Sequence, residues 1–231
     1  MLLNLPPNVA RIMKNKFSID VVSDVSCPWC IIGYQSLNAA IEEMGVADSV
    51  ELNWRPFELN PTMPAQGQDR VEHLQQKYGG TLEQMAANRQ SIVERGAAVG
   101  YEFKFAQSGR VYNTFNAHRL IHWAAEFSLQ TKLKLALFDL YFQQAGNPSD
   151  EAQLLATVTA VGLDADLAKD VLDSGLYERE VRADQALSQQ QGISAVPAFI
   201  FNNKYMISGG QPQEAFIEVL QELKKEAEAA A

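Results

Sequence analysis

Apolar and polar positions change rhythm three times along the chain. Residues 17–22 (Phe, Ser, Ile, Asp, Val, Val) alternate and then end in consecutive β-branched residues, which predicts a buried first strand. Beyond Pro28 the period becomes helical: Trp29, Ile32, Leu37, Ala40, Ile41 and Met44 recur at roughly helical spacing until Gly45. Residues 50–55 alternate again and predict a second strand. The two strands and the helix between them make a βαβ unit with a right-handed crossover. Pro56, Pro61 and Pro64 then forbid continuation of the strand and lead the chain away from the sheet.

The middle of the chain is helical throughout. Residues 71–78 predict a short helix stopped by Gly79-Gly80, and Thr81 caps a longer one that ends before Gly100. Residues 101–105 are locally strand-like but isolated, and read as loop. Asn113 opens a helix carrying Phe115, Leu120, Ile121 and Trp123. Residues 129–144 form a strongly apolar helix ended by Gly146-Asn147-Pro148, Asp150 caps the next, and two more run from Asp164 and from near Tyr177. The β rhythm returns at 197–201, turns at Asn202-Asn203 and pairs back over 204–208. A last amphipathic helix starts at Pro212, turns Phe216, Val219, Leu220 and Leu223 inward, and frays from Glu226.

With the helical middle set aside, the order is β-α-β followed by β-β-α. This predicts an α/β protein, a thioredoxin fold with an inserted all-helical domain. Its parts are an N-terminal extension (1–15), a thioredoxin-fold domain (16–65 and 192–226) and the helical insertion (66–191).

Composition narrows the functional classes. Of 231 residues, 47% are hydrophobic and 20% charged, as in an ordinary soluble domain. A formal net charge of −9 without a basic cluster argues against nucleic acid and anionic membrane as partners. No apolar run is long enough to span a bilayer. The first residues lack a basic start, a continuous apolar stretch and a small-residue cleavage site, so a cytoplasmic location is expected. Two cysteines are few for a disulfide-stapled secreted fold, and their closeness points to catalysis or metal instead.

Cys27-Pro28-Trp29-Cys30 lies at the predicted strand-to-helix turn. A helix N-terminus presents unsatisfied N–H groups and partial positive charge, which favour a thiolate. Cys27 is therefore expected to be the exposed, acidic, attacking sulfur and Cys30 the shielded sulfur that resolves a mixed disulfide. Zinc is the competing reading, because the cysteines and His118-x-x-x-His122 supply tetrahedral ligand types. The halves are far apart in sequence and Pro28-Trp29 opens a helix, so no metal is expected.

Four stretches carry a family resemblance: residues 23–30, Trp54-Arg55-Pro56-Phe57-Glu58-Leu59-Asn60-Pro61, residues 113–120, and residues 192–197 with Ser208-Gly209-Gly210-Gln211 behind them. On these the chain resembles the DsbA-like thioredoxin superfamily, in its FrnE-like cytoplasmic branch. The resemblance implies thiol-disulfide oxidoreductase activity on a disulfide- or thiol-containing protein or a small thiol. No cofactor is required, and glutathione is an optional co-substrate. It implies that Pro197 is a cis-proline facing the dithiol, with Val196 pairing an extended substrate and Pro28 and Trp29 beside it. Asn113 and Arg119 are carried over as substrate contacts, although Asn113 equally suits a helix cap. His118 either assists the thiols or anchors the insertion to the sheet. A related branch, the kappa-class glutathione transferases and 2-hydroxychromene-2-carboxylate isomerases, shares the architecture and uses a serine near the position of Cys27. Glutathione-dependent isomerisation or transfer is therefore the alternative activity.

Overall fold

A computed structural model describes residues 17–105 and 109–229. The expected extension at residues 1–15 lies outside the described residues. Strand β1 (Phe17–Ser23) takes the centre of the sheet because both of its faces are apolar. Phe17, Ile19 and Val21 enter the main core, while Val22 packs with Ile193 and Ala198 on the opposite face. Helix α1 (Pro28–Glu43) follows, and β2 (Val50–Pro56) returns parallel to β1, with Val21 beside Trp54.

Seven further α-helices come before the next strand of this sheet among the described residues: α2 (Arg70–Tyr78), α3 (Leu82–Ala98), α4 (Phe115–Ala124), α5 (Gln130–Phe142), α6 (Glu151–Val161), α7 (Ala165–Ser174) and α8 (Glu178–Gln190). Their starts follow the side-chain caps. Thr81 forms a reciprocal capping box with Gln84, and Asp150 and Asp164 accept the leading amides of α6 and α7. Strands β5 (Ala198–Phe201) and β6 (Tyr205–Ser208) then complete a sheet of order β2-β1-β5-β6, with β5 antiparallel to both neighbours. The turn between them sets Asn202 and Asn203 at φ 49° and 52°, the left-handed pair that the hairpin requires. Helix α9 (Gln213–Ala229) closes the chain and packs on α1.

Two details depart from the sequence expectation. A two-residue ribbon, Gln68–Asp69 (β3) against Arg110–Val111 (β4), is too short to leave a periodic trace. The last helix continues past Glu226 to Ala229, because Glu226 is held by Lys204 and by the Tyr205 hydroxyl (2.6 Å). Residues 101–105 are irregular, as expected, yet Tyr101 and Phe103 are buried in them.

Trp54 fastens the helices to the sheet. Its indole N–H donates to Thr131 Oγ1 (3.0 Å) and its amide to Gln130 Oε1 (2.9 Å), both on or beside the first turn of α5. Its ring lies 5.1 Å from Tyr34 of α1 and 6.2 Å from Phe138 of α5, which adjoins Phe142. One buried cluster thus runs from α1 through β2 into the helical block.

Candidate active site

Cys27 is the residue before the first turn of α1. Its backbone is extended (φ −94°, ψ 113°), and Pro28 takes a position where no amide is needed. The turn closes through the Cys27 amide on the Asp24 carbonyl (3.2 Å) and the Cys30 amide on the Cys27 carbonyl (3.1 Å). Both cysteines are free thiols, hydrogen-bonded to each other. Opposite them the Val196–Pro197 peptide bond is cis, and the Cys27 thiol donates to the Val196 carbonyl at 3.7 Å. Behind this loop Gly210 approaches α1 closely: a Cβ there would lie 3.1 Å from the Trp29 carbonyl. Trp29 is partly buried, with the Arg95 guanidinium 5.6 Å from its ring centre.

The exposure expected for Cys27 is not found. Its side chain turns inward toward Cys30 and Val196 and is only 3% exposed, while Cys30 is wholly covered. The acidity is also distributed differently. The hydrogen bond with Cys30, then burial, push the Cys27 thiol well up. Burial opposes ionisation of Cys30, but the neighbouring Cys27 thiol, the Ser23 hydroxyl and the Lys134 charge outweigh it and bring Cys30 down. The inner sulfur is therefore the more acidic of the pair and the first to take the charge. A shift of the shared proton moves it to Cys27, the outer of the two. In the folded, reduced protein a small alkylating reagent is expected to modify Cys27 first, by at least about tenfold over Cys30. Peptide mapping after brief labelling checks this.

Residues 18–221 match the family model described as a DSBA-like thioredoxin domain. The chain belongs to that family. A solved structure described as a probable DsbA oxidoreductase of Streptomyces coelicolor is 31% identical, with a TM-score of 0.84 over 91% of each chain. The cytosolic disulfide reductase DsbM of Pseudomonas aeruginosa, solved with GSH, shares the fold at 17% identity (TM-score 0.61, covering 90% of this chain and 99% of that one). A 2-hydroxychromene-2-carboxylate isomerase shares it at 12% identity (TM-score 0.68, 93% and 99%). The DsbA-like thioredoxin fold with a helical insertion, read from the four motifs, is thus the fold of this chain, and an oxidoreductase family is its setting.

Within this DSBA-like frame, Asp24 is 1% exposed and ties the active-site turn to residues 56–64. Its carboxylate accepts the Leu59 amide (2.7 Å) and the Ser26 amide (3.1 Å). Burial alone would raise its pKa, but His118 and these two amides outweigh burial and hold it below the usual carboxylate value. His118, on α4 and 2% exposed, places Nε2 3.8 Å from Asp24 Oδ1, and that nitrogen has no hydrogen-bond partner among the described residues. His118 thus meets the dithiol turn through Asp24.

Two residues carried over as substrate contacts have partners within the fold. Asn113 Oδ1 accepts the Phe115 amide (2.9 Å) at the start of α4, and its Nδ2 reaches Glu58 and the Pro61 carbonyl (both 3.3 Å). Arg119 is 2% exposed and donates to the Val171, Leu172 and Leu176 carbonyls and to Asn116. It satisfies the end of α7, where backbone carbonyls lack helical partners. An Arg119→Met protein is expected to lose about 2–3 kcal/mol of stability while keeping its exchange rate, as thermal melts beside a disulfide-exchange assay will show. His122 is directed to Asp184 (3.9 Å), away from the cysteines, and no metal-binding cluster occurs among the described residues.

The sequence reading missed Lys134. It lies on α5 and is 1% exposed, with Nζ 3.4 Å from the Ser23 carbonyl, 5.3 Å from the Trp54 ring centre and 5.0 Å from that of Phe138. Its only sequence signal is a charge one helical turn before Phe138 on an otherwise apolar stripe. Such a lysine ordinarily snorkels outward. Glu58 was missed for a similar reason: it is buried by Arg182 and Gln185, which come from far along the chain.

Proposed function

We propose that this chain is a thiol-disulfide oxidoreductase that works through Cys27 and Cys30. The observation carrying this reading is the pair of mutually hydrogen-bonded thiols at the start of α1, with the outer one seated against the Val196 carbonyl. An outer thiolate attacks a substrate disulfide: a Cys27–sulfur bond forms, the substrate S–S bond breaks, and one substrate sulfur leaves with the electron pair. That leaving sulfur takes up the Cys30 proton, and the Cys30 thiolate then attacks Cys27 Sγ, expelling the second substrate sulfur, which is protonated from solvent. The protein ends as a disulfide and the substrate has gained two electrons. Two equivalents of a small thiol such as glutathione then reduce the protein disulfide and leave as their own disulfide; run in reverse, the exchange steps oxidise a substrate dithiol and leave the protein reduced.

Val196 and Pro197 hold the substrate strand in this scheme, with Pro28 and Trp29 flanking it. Pro197 has no N–H, so an extended peptide meets the Val196 backbone without competition from a neighbouring donor. His118 acts on the turn through Asp24. A cytoplasmic setting and glutathione as partner are supported by the DsbM neighbour, itself a cytosolic reductase solved with GSH. The alternative, glutathione-dependent isomerisation or transfer, draws on the isomerase neighbour and has no use for a second cysteine.

Trapping separates the two readings. A Cys30→Ala protein incubated with glutathione disulfide is expected to accumulate one glutathione per chain at Cys27, seen by intact mass and peptide mapping. Absence of the adduct, while the same protein reacts when unfolded, contradicts the dithiol scheme. Turnover of an electrophile that survives Cys30→Ala favours the alternative.

A further inference from the structure

The reaction scheme above leaves one buried charge without a task. Lys134 reaches the dithiol from α5, a helix of the insertion, and shares the space beneath the active-site turn with Cys27, Cys30 and Asp24, the three groups of the β1–α1 turn within its electrostatic reach. Its hydrogen bond to the Ser23 carbonyl is long, at 3.4 Å, and its ammonium lies near the Trp54 and Phe138 rings. From α4, His118 and His122 line a narrow crevice with it, and Arg55 joins them from β2. At the outer end of that crevice His122 is 33% and Arg55 40% exposed. A lysine so placed has few partners unless a sulfur is ionised, and burying an unpaired ammonium is costly.

We propose that Lys134 is the proton partner of Cys30: it holds a proton while the dithiol carries a thiolate and gives it up through the His122 crevice when the sulfurs join. The proposal rests on the dithiol reading above and adds to it a coupling between the redox state and the insertion. In the reduced protein the Cys30 thiolate and the Lys134 ammonium form a buried pair, and each favours the other's charge. When Cys30 attacks Cys27 Sγ in the mixed disulfide, its electron pair enters the new S–S bond and the thiolate disappears. Lys134 is left beside two neutral sulfurs, with Asp24 as its remaining anionic neighbour. Its proton then leaves past His118 and His122 to solvent. Reduction reverses this: two electrons cleave the S–S bond, one sulfur takes a proton directly, and Lys134 takes up the other as counter-charge to the Cys30 thiolate. Burial already lowers Lys134 to about 8 with the thiols free, despite the nearby thiolates and Asp24, so it titrates near working pH.

The test reads the lysine and the thiolate separately from turnover. Lysine side chains carrying 13C are titrated by NMR in the reduced protein and in the Cys27–Cys30 disulfide form, with Lys134→Arg assigning the resonance. One lysine is expected to titrate near 8 when reduced and at least one pH unit lower when oxidised. A Lys134→Met protein is expected to ionise its dithiol at a pH at least one unit higher by thiolate absorbance, about a tenfold loss of acidity. Lys134→Arg, permanently charged, is expected to keep that midpoint within a few tenths of a unit. If every lysine titrates above 10 in both forms, the proposal is overturned. An unshifted thiolate midpoint in a folded Lys134→Met protein overturns it as well, and if that variant does not fold, the wild-type lysine titration decides. Wild-type exchange with glutathione, measured alongside, tests the dithiol reading, so the two claims fail independently.

Discussion

Replacing Cys27 with serine is expected to slow disulfide exchange by on the order of 10³-fold or more, since a hydroxyl at that position is neither ionised near neutral pH nor able to form the mixed disulfide. The fold will be little changed. Cys27 occupies the extended position before α1, where serine is a favoured residue, and its sulfur makes weak hydrogen bonds to the Val196 carbonyl and to Cys30. Cys30→Ser has a different signature. The first attack survives, release of the product does not, and mixed disulfide accumulates. Stopped assays with a fluorescent disulfide substrate, paired with intact mass, distinguish the two outcomes. Equal loss in both variants without any adduct would mean that the sulfurs act only through structure.

The second large effect concerns stability. Asp24→Ala removes the acceptor for the Leu59 and Ser26 amides and withdraws the carboxylate that lies at ion-pair distance from His118 Nε2. Leaving these groups buried and unpaired is expected to cost about 2–4 kcal/mol. Denaturant unfolding at pH 7 measures it. The pH dependence follows from the direction of the Asp24 shift. Its native pKa lies below the ordinary 3.8, so the stability it contributes is fully present above that value. It is lost as the pH falls through the lower native value, where the folded state must also take up the proton. Asp24→Asn is expected to flatten this acid limb, and an unchanged acid limb would remove Asp24 from the account.

The elements legible from sequence were those whose signal is local. The strand into Cys27, the helix opened by Pro28, the caps at Thr81, Asp150 and Asp164, and the Asn202-Asn203 turn each depend on residues within one helical turn or one hairpin. The dithiol was legible for the same reason. What sequence did not show were contacts whose partner lies far along the chain. The Arg119 guanidinium lies against carbonyls more than fifty residues away, at Val171 and Leu176, which no local pattern announces. Lys134 read as one charge on an apolar helix because its partner atoms belong to the Ser23–Cys30 turn, over a hundred residues earlier. The acidity of Cys27 was misjudged in the same way. A helix N-terminus argues for a low value there, but a second thiol and a buried lysine beneath the pair redirect the charge to Cys30.

Equilibration of the wild-type protein against glutathione buffers of graded redox poise, quenched in acid and read as free thiols per chain, tests the central claim most directly. Conversion between two free thiols and none, reversible and in a single two-electron step, is the predicted result. A protein that keeps both thiols free at every poise, or that only takes up glutathione without closing the Cys27–Cys30 bond, would contradict it.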